Sequence, residues 1–214
     1  MTSFLSNFMT PATLIVFLAL SVLSLITVSV AIFKARQFSK LGVGRRNQAE
    51  VILDNWLSGR AEAATQAAAE RKSVLARVLQ AVFSGVQAKP GDTAYAEELG
   101  RQTALIELAT MAERMRLLEM VVQAAPMLGL LGTVVGMIDA FSVLSLTQGT
   151  VDPAGLAGGI WTALTTTAVG LSVALVAYFI ATWLEGRIDR ERVLIETVIS
   201  AAIHGRVAPA ASVS

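Results

Sequence analysis

Residues 121–146 read VVQAAPMLGLLGTVVGMIDAFSVLSL, residues 147–159 read TQGTVDPAGLAGG, and residues 160–184 read IWTALTTTAVGLSVALVAYFIATWL. The two long apolar pieces hold no Lys or Arg. Each exceeds the roughly 20 residues a helix needs to cross the hydrocarbon core of a bilayer. The spacing predicts a helical hairpin that crosses a membrane twice. Yet the hairpin also carries a file of glycines, several threonines and one acid. A segment that only had to sit in lipid has no use for those groups. They predict two helices that pack tightly against copies of themselves and present hydroxyls to a buried aqueous or protein-filled path.

Working outward, the composition supports a membrane protein. The chain has 214 residues, 54% of them hydrophobic and 15% charged. Soluble domains carry about 25% charge. Residues 1–33 hold no charged side chain, and every Lys and Arg lies within 34–116 or 187–206. No cysteine is present, and His204 is the single histidine. That removes disulfides, Cys-bound zinc, thiol nucleophiles and Ser–His chemistry. No cofactor or metal is expected, and no enzyme.

A second apolar run, 12–33, is long enough to span and too long for the ~7–15-residue core of a signal peptide. Lys34, Arg36, Lys40, Arg45 and Arg46 follow at once. Positive charge beside a span stays in the cytoplasm, which predicts N-out, C-in. The fold expected is therefore an all-α membrane protein with three transmembrane helices and long helices extending into a cytoplasmic helical domain. In order, 1–11 is a periplasmic segment, 12–33 the first span and 34–119 the cytoplasmic domain. Residues 120–146 form the second span, 147–158 a periplasmic loop, 159–184 the third span, and 185–214 a cytoplasmic helix and tail. Ser21, Ser24 and Thr27 on the first span are expected to bond within the membrane part, to their own backbone or a neighbouring helix.

Within the cytoplasmic domain, 46–57 and 61–86 read as helices. Lys89-Pro90-Gly91-Asp92 is a break with a capping acid behind it. From Thr93 onward no breaker other than Pro126 interrupts the pattern, which predicts one long helix entering the membrane near 119–122. Pro126 is expected to kink it. Asp152-Pro153 reads as a helix start. The third span is expected to continue as a helix to about Ile203. Charges of both signs mix here, with no nucleic-acid, nucleotide or metal motif.

In the hairpin, Gly129, Gly132, Gly136 and Gly170 mark close helix packing. Thr133 lies mid-span. Thr162, Thr165, Thr166 and Thr167 point around most of the third helix, either lining a polar path or hiding their hydroxyls on their own helix. Asp139 is the only acid within the spans. It lies about 27 Å along the helix from Val121, so it is either a hydrated acid at a pore mouth or a proton carrier.

The run APMLGLLGTVVGM at 125–137 resembles the second-span motif of the TolQ/ExbB/MotA proton-channel family. Gly159-Ile160, Ala163-Leu164 and TAVGL at 167–171 are similar to its third-span motif. Three spans and this length resemble the ExbB/TolQ branch. The resemblance implies a homopentamer in the bacterial inner membrane around a dimeric, single-span partner of the ExbD/TolR type, with a TonB/TolA-type protein as a further partner. Proton flow past the partner's aspartate would drive work at the cell envelope. Thr133 and Thr167 fall on the family's pore-facing threonines, with Thr162, Thr166 and Asp139 as further candidates for the path. Two departures stand out: Thr162 occupies a position where the family often has glutamate, and Val176 one where it has proline. A non-conducting membrane scaffold is the alternative.

Overall fold

The structure is a computed structural model that describes residues 11–44, 46–71, 73–146 and 153–205, with backbone alone over 143–146. The expected lead-in over 1–10, the loop 147–152 with its Asp152 cap, and the tail 206–214 lie outside the described residues. Among the described residues there are seven α-helices and no strand: α1 (Pro11–Leu41), α2 (Arg46–Leu57), α3 (Ala61–Ala69), α4 (Val74–Ala88), α5 (Thr93–Ala112), α6 (Met115–Leu146) and α7 (Pro153–His204). Three helical stretches, one in each of the expected places, are long and apolar enough to cross a membrane.

The chain divides into two compact units, residues 1–32 with 114–182, and residues 33–113 with 183–214. The first contains the apolar parts of α1, α6 and α7. Its core joins Val16, Leu20 and Leu23 of α1 to Val121 and Ala125 of α6 and Ala174 and Ala177 of α7. Small residues on α6 and α7 meet larger ones on α1, so three helices close around a core with few bulky groups. Leu18, Leu25, Leu130, Ile138, Leu171 and Phe179 point outward and are exposed, as residues facing lipid or another chain must be. Ser21 and Thr27 donate to the carbonyls of Phe17 and Leu23, one turn back.

The second unit is built on α4, whose Val74, Leu75, Val78, Leu79, Val82 and Phe83 are all buried. α5 packs on it through Ala96, Gly100, Ala104 and Leu108. A Cβ on Gly100 would sit 2.5 Å from Val82 Cγ2 and one on Gly85 2.6 Å from Ala96 Cα, so the two helices touch through glycine. Arg77 grips Glu107 with two parallel bonds of 2.5 Å. Trp56 stacks on Phe83 with centroids 4.0 Å apart and donates to the Ala202 carbonyl near the end of α7.

Two expected helices are broken. The run 61–86 divides into α3 and α4, because the Ser73 hydroxyl accepts from the Ala76 N–H and caps a new helix; a local side-chain acceptor competes with helix continuation there. The single helix expected from Thr93 into the membrane ends at Ala112 and restarts at Met115. Glu113 has φ −51 and ψ 137, and Arg114 has φ 66, the angles of a type II turn, whose third residue is normally glycine. At this point α1 supplies substitute partners. Lys34 Nζ donates to Met111 O at 2.7 Å and Gln37 Nε2 to Thr110 O at 3.0 Å. α6 itself runs on through Pro126 as one helix.

The left-handed Arg114 yields a sign test. Inside a helix a glycine would cost about 1 kcal/mol. An L-residue held left-handed already carries a penalty of about 1–2 kcal/mol. Arg114→Gly is therefore expected to leave stability unchanged or raise it by up to ~1 kcal/mol in urea or thermal melts. A loss of about 1 kcal/mol would place residue 114 in an ordinary helix.

Candidate functional site

α6 and α7 run antiparallel and touch along a seam of small residues. On α6 the seam is Ala125, Gly129, Gly132, Gly136 and Ala140, a helical spacing that puts all five on one face. Opposite them on α7 lie Gly170, Thr166, Ala163 and Gly159. A Cβ on Gly136 would meet Ala163 Cβ at 2.9 Å, one on Gly159 would meet Ala140 Cβ at 2.7 Å, and one on Gly170 would meet Ala125 O at 2.6 Å. Around Gly132 the obstacle is the Thr166 side chain, with its Cβ at 2.6 Å. Carbon atoms do not approach so closely, so no side chain fits at these positions with the helices where they are. Close helix packing was expected of these glycines, and on this face it is between two helices of one chain.

The close approach exposes the carbonyl of Gly129 to α7. Thr167 Oγ1 donates to it at 2.9 Å, and Thr166 Oγ1 lies 3.2 Å from it and 2.6 Å from its own Ala163 carbonyl. Thr166 is fully buried. The remaining hydroxyls bond back along their own helices: Thr162 to Gly158 O, Thr165 to Trp161 O, Ser172 to Ala168 O and Thr133 to Leu130 O. Thr162, Thr165 and Thr166 thus bond on their own helix, while Thr167 donates across to α6. A hydroxyl that gives its one proton to a carbonyl keeps lone pairs that accept. Such a hydroxyl can still receive a hydrogen bond from water or from a protonated carboxyl.

The candidate residues thus fall into two groups. Thr166 and Thr167 converge on Gly129 and Gly132. Thr133 is half-buried beside the seam, along a shallow groove of about 650 Å³ shared with Val134, Met137, Ile138, Phe141 and Ser142. Thr162 is half-buried one turn from Thr166. Asp139, also half-buried, lies six residues beyond Thr133, about 9 Å along the axis. Its backbone carbonyl accepts from the Ser142 hydroxyl. The Gly129 carbonyl as a shared acceptor was missed from sequence. Its only signal was a glycine and a pair of threonines on helices expected to be adjacent.

A second residue was also missed. Glu191 of α7 lies in the other unit, is only 1% exposed, and accepts a 2.9 Å bond from the Gly44 N–H. Its Oε1 has no hydrogen-bond partner. Burial pushes its carboxyl above the ordinary carboxylate range, opposed in part by the Gly44 N–H. In sequence Glu191 is one acid among the arginines Arg187, Arg190 and Arg192, which reads as an exposed face. Among the described residues no cluster of His, Cys, Asp or Glu could hold a metal ion.

Two outcomes are expected. Gly132→Ala should drive the new methyl into Thr166 and destabilise the hairpin by about 1–3 kcal/mol, read as a lower melting temperature in detergent; an unchanged melt would mean that α6 and α7 are not in contact there. For Glu191 the raised pKa means that its favourable contribution is full below the ordinary carboxylate pKa and is lost as pH rises through the folded-state value. Glu191→Gln should therefore flatten that loss of stability with rising pH, measured by melts between pH 4 and 8. An unaltered pH profile would show that this carboxyl is not the titrating group.

The match to known proteins runs over the same helices. The chain matches the MotA/TolQ/ExbB proton channel family over residues 69–197, more than half its length. It is 36% identical over 102 residues to an ExbB homolog from Methanothermobacter thermautotrophicus, covering 48% of this chain and 36% of the relative. A biopolymer transport protein of the ExbB type from Vibrio cholerae is 38% identical over 86 residues, 40% of this chain and 38% of that protein. An ExbB-like protein from Synechocystis is 27% identical over 174 residues, 81% of each chain. The alignments thus span little more than a third of the first two relatives. With more than half of the chain and the whole hairpin 121–184 inside the matched region, this chain belongs to the MotA/TolQ/ExbB proton channel family.

Proposed function

We propose that the chain is a proton-conducting motor subunit of the ExbB/TolQ kind, which couples a proton gradient across the bacterial inner membrane to work at the cell envelope. The observation that carries this reading is the family match over residues 69–197, which takes in the hairpin 121–184. Five copies would stand around the single membrane helices of a dimeric ExbD/TolR-type partner, with a TonB/TolA-type protein receiving the motion. The N-terminus would face outward, and the unit of residues 33–113 and 183–214 would lie in the cytoplasm. The positive cluster from Lys34 to Arg46 supports that sense of insertion. No enzymatic chemistry belongs to this reading.

The hairpin hydroxyls define what the wall can do. Thr133 and Thr167 have acceptors within the chain for their own protons. Facing a partner's acid, they would accept from its protonated form, favouring the neutral carboxyl during transit. When that acid ionises, a hydroxyl must rotate away from Leu130 O or Gly129 O to donate. Each transit would then exchange one hydrogen bond for another, which keeps the charged state from being trapped.

A second reading has a specific observation behind it. Thr162 stands where the family often carries glutamate, and its hydroxyl is bonded to Gly158 O. A scaffold that holds a partner without conducting would need no acid there. Proton flux into liposomes containing the chain with its partner separates the two. In the motor, Thr167→Val and Thr133→Val should each reduce flux at least tenfold while the oligomer still forms on size-exclusion chromatography. Full flux in both variants would remove their assigned role, and no flux in the wild type would leave the scaffold.

A further inference from the structure

Nothing in the local sequence stops the helix at residue 112. From Thr93 to Ala125 the only glycine is Gly100 and there is no proline. Arg114, a residue with good helix propensity, sits instead in the left-handed region at φ 66. A tertiary contact must offset that preference, and it comes from α1.

In an unbroken helix the carbonyls of Thr110 and Met111 would accept from the N–H groups of residues 114 and 115. Here Gln37 Nε2 and Lys34 Nζ stand in for them, at 3.0 and 2.7 Å, and Lys34 is tied to Gln37 Oε1 at 2.9 Å. The ammonium is fully buried. A buried cation is tolerated only with acceptors, and the negative end of a helix is a favourable one. The Met111 carbonyl is fully open to Lys34 only while the helix is broken. The burial of the cation and the break therefore support each other.

We propose that Lys34, with Gln37, is a positioning residue that keeps α5 and α6 as two helices, and that losing its ammonium fuses them into one. Fusion replaces the two-residue turn at residues 113 and 114 by continuous helix.

The test uses the full chain in lipid nanodiscs. Lys34→Met keeps length and burial but removes the charge. Arg36, Lys40, Arg45 and Arg46 remain to hold the sense of insertion. In the wild type the amides of Met115 and Arg116, at the start of α6, lack the i−4 acceptors that an unbroken helix would give them and should exchange hydrogen freely. In Lys34→Met the amides of residues 115 and 116 should exchange at least tenfold more slowly. Spin labels at positions 102 and 119 should move to a backbone separation of about 26 Å, the rise of seventeen helical residues. Lys34→Arg should retain the wild-type pattern. Adding Glu113→Pro and Arg114→Gly, the residues a type II turn prefers, should restore the break in Lys34→Met. Unchanged exchange and distance in Lys34→Met would overturn the proposal. So would misfolding of both Lys34→Met and its turn-locked counterpart, since the amine would then be required for folding itself rather than for the break. These readouts stand apart from flux, so a non-conducting wild type would sink the motor reading and leave this result intact.

Discussion

The backbone-to-backbone approach of α6 and α7 is the constraint on which the hairpin depends. Lipid chains are as apolar as leucine, so helices in a membrane gain little from burying apolar surface against each other. They associate through packing and hydrogen bonds. Gly129, Gly132, Gly136, Gly159 and Gly170 remove the side chains that would hold the helices apart. The Gly129 carbonyl then comes within reach of two threonine hydroxyls. Glycine is a poor helix former, and the seam is what offsets that weakness. Once it closes, the directions of other described hairpin residues follow: Leu130, Ile138, Leu164 and Leu171 outward, Thr133 and Thr162 beside the seam.

The second unit uses similar means for a different purpose. Gly85 and Gly100 let α4 and α5 touch, while Arg77–Glu107 and Trp56–Phe83 lock neighbouring helices. The two buried charges among its described residues are treated differently. Lys34 finds carbonyl and amide acceptors. Glu191 is held through one oxygen only, and its carboxyl is pushed toward the neutral form. A burial of this kind weakens the unit as pH rises, so it is poorly explained as a device for stability.

Much of the helical plan was legible because its signals are local. Continuous apolar runs marked the three spanning stretches, the Lys89–Asp92 break and its Asp92 cap preceded α5, and α2 begins and ends where its pattern does. The seam glycines were legible as packing residues, but not their partner: a glycine face fits a second copy as well as a neighbouring helix. The threonine run was ambiguous for a related reason, since a hydroxyl's acceptor is chosen by whichever carbonyl comes near.

By itself, then, the sequence determined an all-helical chain with three membrane-length apolar stretches, the small-residue faces of the hairpin and the motifs of its family, because each depends on residue type and on spacing along one helix. The tertiary structure alone decided that Thr166 would be buried between α6 and α7, that Glu191 would lose its water, and that the helix from Thr93 would stop at Ala112. Those outcomes turn on groups far apart in the chain: the Gly129 carbonyl 37 residues before Thr166, the Gly44 amide 147 before Glu191, and the Lys34 ammonium 77 before Met111. No local pattern encodes such a meeting. It exists only once packing has brought the partners within hydrogen-bond reach.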